Sequence, residues 1–219
     1  MDVQSGADYA MTIIYPVFEA TVSAITLFVA LLISYRAYRG HRITGNLNLL
    51  LLGAGFTLIA LGFVLDIIGA IAQHQYTTRP GAEFLFNYIR TMIEVVAYLL
   101  IMLAYLVRPK VEDLLPALGV ILLPFTFQIF IAILLAIILL SVWMSYSKRP
   151  TASTALVLSS FSLLFILHLV NAILIFTPRA EAAGYLYYSI FQLFAFGLLY
   201  MAIGQKHHSR EQQERKNIA

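Results

Sequence analysis

Six long runs of apolar residues, separated by short polar segments, dominate the sequence. They cover approximately residues 12–35, 47–73, 84–107, 118–146, 154–177 and 183–204. An α-helix needs about 20 apolar residues to cross the hydrocarbon core of a bilayer, so each run predicts a transmembrane helix. The fourth run is unusually long and contains Pro124, so a kinked or interfacial lead-in from about Leu114 is expected there. The pattern predicts an all-α, polytopic membrane protein with six spans.

The composition agrees with this class and excludes several others. Of 219 residues, 61% are hydrophobic and 11% are charged, and the mean hydropathy of +0.85 lies outside the range of soluble domains. The longest polar segment, 205–219, is too short to form a core. The absence of cysteine excludes disulfides, iron–sulfur ligation and cysteine zinc sites within this chain. Because nucleotide-binding and hydrolase motifs are also missing, the sequence predicts a non-enzymatic protein, with a redox subunit left open.

Three carboxylates lie inside the apolar runs: Glu19, Asp66 and Glu94. A charged side chain at the centre of a bilayer costs about 3 kcal/mol, so such residues usually face the bundle interior or a water-filled path. Arg90 lies one helical turn before Glu94, at the spacing where side chains meet. These four residues predict a site for a proton or a small cation. The structural alternative is that Arg90 neutralises Glu94, while the other two acids are protonated and serve packing.

An internal repeat relates the two halves of the chain. When residues 12–108 are aligned with 121–206, the three acids match three side-chain amides: Gln128, Asn171 and Gln192. The alignment also pairs Phe63 with His168 and Tyr98 with Phe196. Three acids in one half and three amides in the other suggest one ancestral unit used twice, with only one copy ionisable.

Each half contains three predicted spans, an odd number, so alternating spans insert the two halves with opposite orientation. The sequence therefore predicts a 3+3 inverted repeat, a plan that recurs in secondary transporters. Its units are residues 1–110 and 111–204, followed by a short charged tail, 205–219. In this plan the acids and the amides form two polar clusters near the middle of the membrane.

The charge distribution gives no orientation for six alternating spans. Both termini then share one side, which receives seven Lys and Arg residues against six on the other side. The net charge of +3 is concentrated at helix ends, which indicates contact with lipid headgroups rather than nucleic acid. Tyr187 and Tyr188, near the start of the last run, are typical of the aromatic belts at membrane interfaces. The predicted localisation is the cell membrane, as a multi-pass protein.

Four histidines are candidate ligands of haem b, because imidazoles on facing helices can hold its iron. His168 lies in the middle of the fifth run, and no other histidine lies at its depth. His74, His207 and His208 end the second and sixth runs and could form a pair there. The alternative is that His168 forms hydrogen bonds within the bundle and that the other three are interfacial.

The segment YRAYRGHRITGNLNLLLLGAGFTLIALGFVLD, residues 35–66, resembles small polytopic membrane proteins that are common in archaea. In those proteins a helix ending in an Ala-Tyr-Arg cluster leads into a second helix rich in Gly-Phe and Leu-Gly. The resemblance implies a small helical membrane protein and carries no activity. The three-plus-three plan is similar to that of some small exporters in architecture only.

Three functions are consistent with these features. The first is a proton- or cation-coupled transporter of a small solute, with Glu19, Asp66, Glu94 and Arg90 as its ionisable site. The second is an electron-transfer subunit that binds haem b. The third is a sensor or accessory subunit, whose polar residues receive helices of a larger membrane complex or of a second copy.

Overall fold

The computed structural model describes residues 4–75, 80–106, 127–174 and 187–204, with side chains for most of them. Six helices in these ranges are long and apolar enough to cross a membrane. Their bounds are α1 Gln4–Thr44, α2 Leu47–Gln75, α3 Pro80–Tyr105, α4 Phe127–Lys148, α5 Ala152–Leu174 and α6 Tyr187–Gly204. The predicted helical class is confirmed, and the six helices are compatible with a multi-pass integral membrane protein.

A two-residue turn joins α1 to α2 and makes them antiparallel. Gly45 has φ +66°, a left-handed conformation that glycine adopts without strain, and its N–H donates to the His41 carbonyl at 2.7 Å. Asn46 Oδ1 then accepts the N–H of Asn48 at 3.0 Å and so caps the start of α2. Further along, the Ser34 hydroxyl donates to the Gly53 carbonyl at 2.9 Å and ties the two helices together.

Helix α2 approaches α3 most closely at Gly55. A Cβ atom at this position would lie 2.6 Å from Ile101 Cγ1 and 2.9 Å from the Ala97 carbonyl oxygen. Only glycine permits this distance between two helix backbones. Because Asp66, later in α2, contacts Arg90, earlier in α3, the two helices are antiparallel.

Contacts between α3 and α5 show that these helices also run in opposite directions. The Tyr98 hydroxyl lies 3.3 Å from His168 Nε2, and the Tyr105 ring stands edge-on to the Phe161 ring with centroids 5.3 Å apart. Later residues of α3 thus meet earlier residues of α5. Helix α4 is antiparallel to α5 because only residues 149–151 connect them. It follows that α3 and α4 run in the same direction.

Helix α6 is antiparallel to α5. The Ser153 hydroxyl donates to the Ala202 carbonyl at 2.8 Å, and the Ser160 hydroxyl donates to the Ala195 carbonyl at 2.7 Å. Helices α1, α3, α4 and α6 therefore run one way, and α2 and α5 run the other way. We call one end of the bundle the Gly45 end, since it contains Gly45, residues 149–151 and the end of α6. The other is the Gln75 end, where α2 and α5 finish.

The first triplet of helices, α1–α3, and the second triplet, α4–α6, thus have the same sense, because corresponding helices run in the same direction. This differs from the alternation that the sequence predicts. Alternation would make α4 antiparallel to α3, but α3 finishes towards the Gly45 end and α4 begins towards the Gln75 end. Residues 107–126 connect these two points. The sequence predicts one span over 118–146, whereas the structure describes this helix as Phe127–Lys148. The inverted orientation of the halves is therefore not confirmed.

The residue pairs of the repeat nevertheless make matching contacts in both triplets. The Phe63 and Phe196 rings stand edge-on at 6.2 Å and 86°, and their counterparts His168 and Tyr98 do so at 5.4 Å and 84°. The alignment also pairs Gly55 with Ser160 and Ala97 with Ala195. Gly55 approaches the Ala97 carbonyl, and Ser160 donates to the Ala195 carbonyl. These matches are the contacts expected of a repeat whose two copies have the same sense.

The interior of the bundle is densely packed and its outer surface is apolar. The largest fully buried side chains are Tyr98, Phe56, Phe161, Phe196, Ile33, Ile59, Ile101, Ile131, Leu135, Ile138, Leu164 and Leu199. Large apolar side chains such as Phe28, Leu140 and Phe194 point outward and are more than half exposed. A surface of this kind is stable in lipid but would be unfavourable in water.

Candidate functional site

An ion-pair cluster connects α2 and α3 inside the bundle. Arg90 Nη1 lies 3.0 Å from Asp66 Oδ1, and Arg90 Nη2 lies 3.7 Å from Glu94 Oε1. The contact with Glu94 joins residues one turn apart, as their spacing predicts, whereas the contact with Asp66 crosses to the neighbouring helix. The side chains of Asp66 and Glu94 are 10% and 6% exposed, and that of Arg90 is 21% exposed. One guanidinium thus faces two carboxylates in a nearly buried place.

His168 forms the centre of a second polar cluster, which joins four helices. Its Nε2 lies 3.1 Å from the Tyr188 hydroxyl on α6 and 3.3 Å from the Tyr98 hydroxyl on α3. Its Nδ1 lies 3.1 Å from Gln128 Oε1 on α4. Both tyrosine rings stand edge-on to the imidazole. His168 is fully buried, and both of its ring nitrogens have protein partners.

These partners can satisfy His168 in either protonation state. In the neutral ring, Nδ1–H donates to Gln128 Oε1 and Nε2 accepts a hydroxyl proton from Tyr188 or Tyr98. In the charged ring both nitrogens donate, and the tyrosine oxygens become acceptors. A hydroxyl group can reverse its role by rotating about its C–O bond, whereas a carbonyl or an amide N–H cannot. The cluster therefore permits a proton to arrive or leave without a change in the packing of the rings.

Glu94 and Gln192 link the two clusters. Glu94 lies one turn after Arg90 and one turn before Tyr98 on α3, so these three side chains follow one another on one face of the helix. The Gln192 side chain is 1% exposed and lies beside the Tyr98 hydroxyl. Its Nε2 has no hydrogen-bond partner among the described residues. A buried donor without a partner is unfavourable, so the site can take one more acceptor.

Six polar residues predicted from the sequence lie in these clusters: Asp66, Arg90, Glu94, Gln128, His168 and Gln192. The inverted repeat predicts separate acid and amide clusters. Instead, Gln128 and Gln192 lie around His168 and Tyr98, and Glu94 lies between this cluster and the ion pairs. The side chain of Glu19 lies outside the described residues.

Asn171 is separate from the other two amides. It lies one turn after His168 on α5 and lines an apolar groove of about 330 Å³ between α5 and α6. The groove also contacts Tyr188 and is otherwise formed mainly by aliphatic and aromatic side chains, including Leu163 and Phe191. Asn171 therefore borders the His168 cluster on its lipid side, and the structure does not bring it to the ion pairs.

The haem hypothesis stays a prediction. An iron ion at His168 would have to replace either Gln128 or the two tyrosines, because these occupy the ring nitrogens. The side chain of His74 and all atoms of His207 and His208 lie outside the described residues. Among the described side chains, no three His, Asp or Glu residues lie close enough together to hold a metal ion.

The structure adds Tyr98 and Tyr188 to the site. The place of Tyr188 near the start of the last run predicts a position in the interfacial belt, but this residue is 9% exposed and contacts His168. The repeat indicates this site role for Tyr188, because the alignment that pairs Glu94 with Gln192 also pairs Arg90 with Tyr188. Tyr98 occupies the position matched by Phe196, so its hydroxyl is the only added group there.

Comparison with known proteins identifies no relative: no family model, curated protein or solved structure matches this chain.

Proposed function

We propose that this protein is a multi-pass membrane protein that binds a proton at the Asp66–Arg90–Glu94 cluster and passes it to His168, coupled to movement of a small solute. One observation carries the proposal. Hydrogen-bonding or charged groups follow one another from α2 to α4 through an interior whose other large buried side chains are apolar. In a membrane, such residues are usually retained for ion or proton pathways.

A proton is a better candidate than a metal cation. The described side chains provide two carboxylates near each other, and an arginine already pairs with both. A small cation would compete with this guanidinium and would find few further oxygen ligands, whereas a proton needs only one carboxylate oxygen. His168 and its two tyrosines then provide groups that can both donate and accept a proton.

The location of the site supports the coupling to solute movement. Asp66, Arg90 and Glu94 belong to the first triplet of helices, while Gln128, His168 and Tyr188 belong to the second. Repeats of the same sense, related by an axis along the membrane normal, occur in transporters, with the site where the repeats meet. A change in charge at such an interface alters the attraction between the two triplets, and this is the physical basis of coupling.

Proton flux into liposomes tests the proposal. The purified protein is reconstituted with an internal pH-sensitive dye, and a potassium diffusion potential drives proton entry. We expect acidification with the unaltered protein and little above the empty-liposome rate with Glu94→Gln or His168→Phe. Asn171→Leu, on the lipid side of the cluster, is the matched control and should retain the flux. Equal rates for all four proteins and for empty liposomes would refute proton transfer.

A further inference from the structure

The directions of the helices redistribute the basic residues between the two ends of the bundle. Of the six Lys and Arg residues that the structure describes, five lie at or near the Gly45 end: Arg36, Arg39, Arg42, Lys148 and Arg149. The sixth, Arg90, is in the site. Strict alternation of six spans divides the same five residues three against two.

We propose that the Gly45 end is the cytoplasmic face of the protein and lies against the anionic headgroups of the inner leaflet. Short connections rich in Lys and Arg remain in the cytoplasm, and among the described residues this end has five Lys and Arg residues while the other end has none. The helix directions follow from contacts between the helices and are independent of the Lys and Arg count at either end. In this orientation α1 begins on the outer side and α6 ends on the cytoplasmic side. The orientation does not depend on the proposed function, because it rests only on the helix directions and the basic residues.

The orientation places Glu94 near the middle of the membrane and Arg90 in its outer half. Helix α3 runs from the Gln75 end to the Gly45 end. At 1.5 Å per residue, Glu94 lies about 16 Å and Arg90 about 22 Å from Tyr105 in the outward direction. The exposed fraction also falls inward, from 21% at the Arg90 side chain to none at His168.

Between His168 and the Gly45 end, apolar packing closes the bundle. Fully buried side chains fill the level between His168 and the Gly45 end: Phe56, Ile138, Phe161, Leu164, Phe196 and Leu199. The Tyr105 ring packs against Phe161, and the Phe56 ring packs edge-on against Phe196 at 5.7 Å. The Ser160 and Ser153 hydroxyls donate to carbonyl groups of α6. Apolar packing therefore closes the bundle between His168 and the Gly45 end, and we expect a proton to reach the site from the opposite end, a direction of access that rests on the proposed function of the site.

Cysteine labelling tests the orientation, and the chain offers a natural background because it contains no cysteine. Single variants Thr44→Cys, Thr78→Cys and Ser147→Cys are treated with a membrane-impermeant maleimide in intact cells and again after permeabilisation. We expect Thr78→Cys to react in intact cells, and the other two only after permeabilisation. Six alternating spans instead place positions 78 and 147 together, opposite 44. That pattern, or labelling of 44 and 147 from outside, would overturn the proposal.

The direction of access needs a second experiment. Asp66→Cys, with Thr91→Cys as a second variant at the same level, is exposed to a small cationic thiol reagent on one side of sealed vesicles at a time. We expect a rate at least tenfold higher from the outer side, while Ser160→Cys, in the apolar level, should react from neither side. Faster reaction from the inner side would overturn the direction of access but not the orientation. A correct labelling pattern without proton flux would refute only the proposed function.

Discussion

The contact between Phe63 and Phe196 and the contact between His168 and Tyr98 are copies of one arrangement with different chemistry. In both, two rings stand nearly perpendicular at a similar distance, between a middle helix of one triplet and an outer helix of the other. The apolar copy shows that the bundle packs well at this place without any polar group. The polar groups in the other copy are therefore not needed for packing, and this favours a functional role for His168 over a structural one.

The ion-pair cluster also differs in chemistry from its counterpart in the repeat, where the amides Asn171 and Gln192 replace the acids Asp66 and Glu94. Arg90→Gln should have the largest effect on stability. The variant leaves Asp66 and Glu94 without a positive partner. Removing one partner of a buried ion pair typically costs 3–5 kcal/mol, and partial exposure here reduces the expected loss to about 2–4 kcal/mol. Thermal or SDS-induced unfolding in detergent micelles measures it.

The matched control converts the first triplet to the neutral chemistry of the second. Asp66→Asn and Glu94→Gln combined with Arg90→Gln reproduce the amides found at Asn171 and Gln192, and should recover most of the lost stability. A triple variant as unstable as Arg90→Gln alone would show that the arginine acts through packing rather than charge.

His168→Phe places a phenylalanine ring against Tyr98, as Phe63 lies against Phe196 in the apolar copy. Taken alone, it leaves Gln128, Tyr98 and Tyr188 without their shared partner, at an expected cost of about 1–3 kcal/mol. Adding Tyr98→Phe and Tyr188→Phe should restore stability, because both sides of each hydrogen bond are then removed. Proton flux should be absent in both proteins. A stable triple variant that retains the flux would exclude His168 from the pathway.

Gly55 and its counterpart Ser160 test the repeat away from the site. Gly55→Ala places a methyl group 2.6 Å from Ile101 Cγ1, and overpacking of this kind costs about 1–3 kcal/mol. Gly55→Ser should cost less, since its hydroxyl can donate to the Ala97 carbonyl, as Ser160 donates to Ala195. Gly62→Ala is the control within α2, since no atom lies within 4 Å of the added Cβ. If Gly55→Ala and Gly55→Ser destabilise the protein equally, the α2–α3 and α5–α6 interfaces are not equivalent.

Tyr188→Phe and Tyr98→Phe should have the smallest effects. Each removes one of two hydroxyl groups at His168 Nε2, so the expected loss is about 1 kcal/mol, and the other tyrosine keeps the nitrogen paired. We expect a reduced proton flux in each single variant and none in the double variant. Flux that falls to the background in one single variant would identify that tyrosine as the necessary member of the pair.

The sequence predicted the helices and most site residues, because both depend on local patterns. Run length identifies a helix that can cross a membrane, and the spacing of Arg90 and Glu94 identifies an ion pair within one helix. The direction of α4 depends on where the chain turns between Leu106 and Phe127, and apolar periodicity is the same in either direction. The contact of Arg90 with Asp66 and the position of Tyr188 also depend on tertiary packing. The repeat alignment pairs Arg90 with Tyr188, but a site role for Tyr188 follows from this pairing only once the sense of the two triplets is known.

The length of α1 has a consequence for the basic residues near its end. A helix of 41 residues is about 60 Å long, whereas the hydrocarbon core measures about 30 Å. The apolar run 12–35 alone is long enough to cross this core, so the last turns of α1, which contain Arg36, Arg39 and Arg42, extend about 14 Å further towards the headgroups. Basic side chains on these turns can reach lipid phosphate groups while their aliphatic parts stay against the apolar surface.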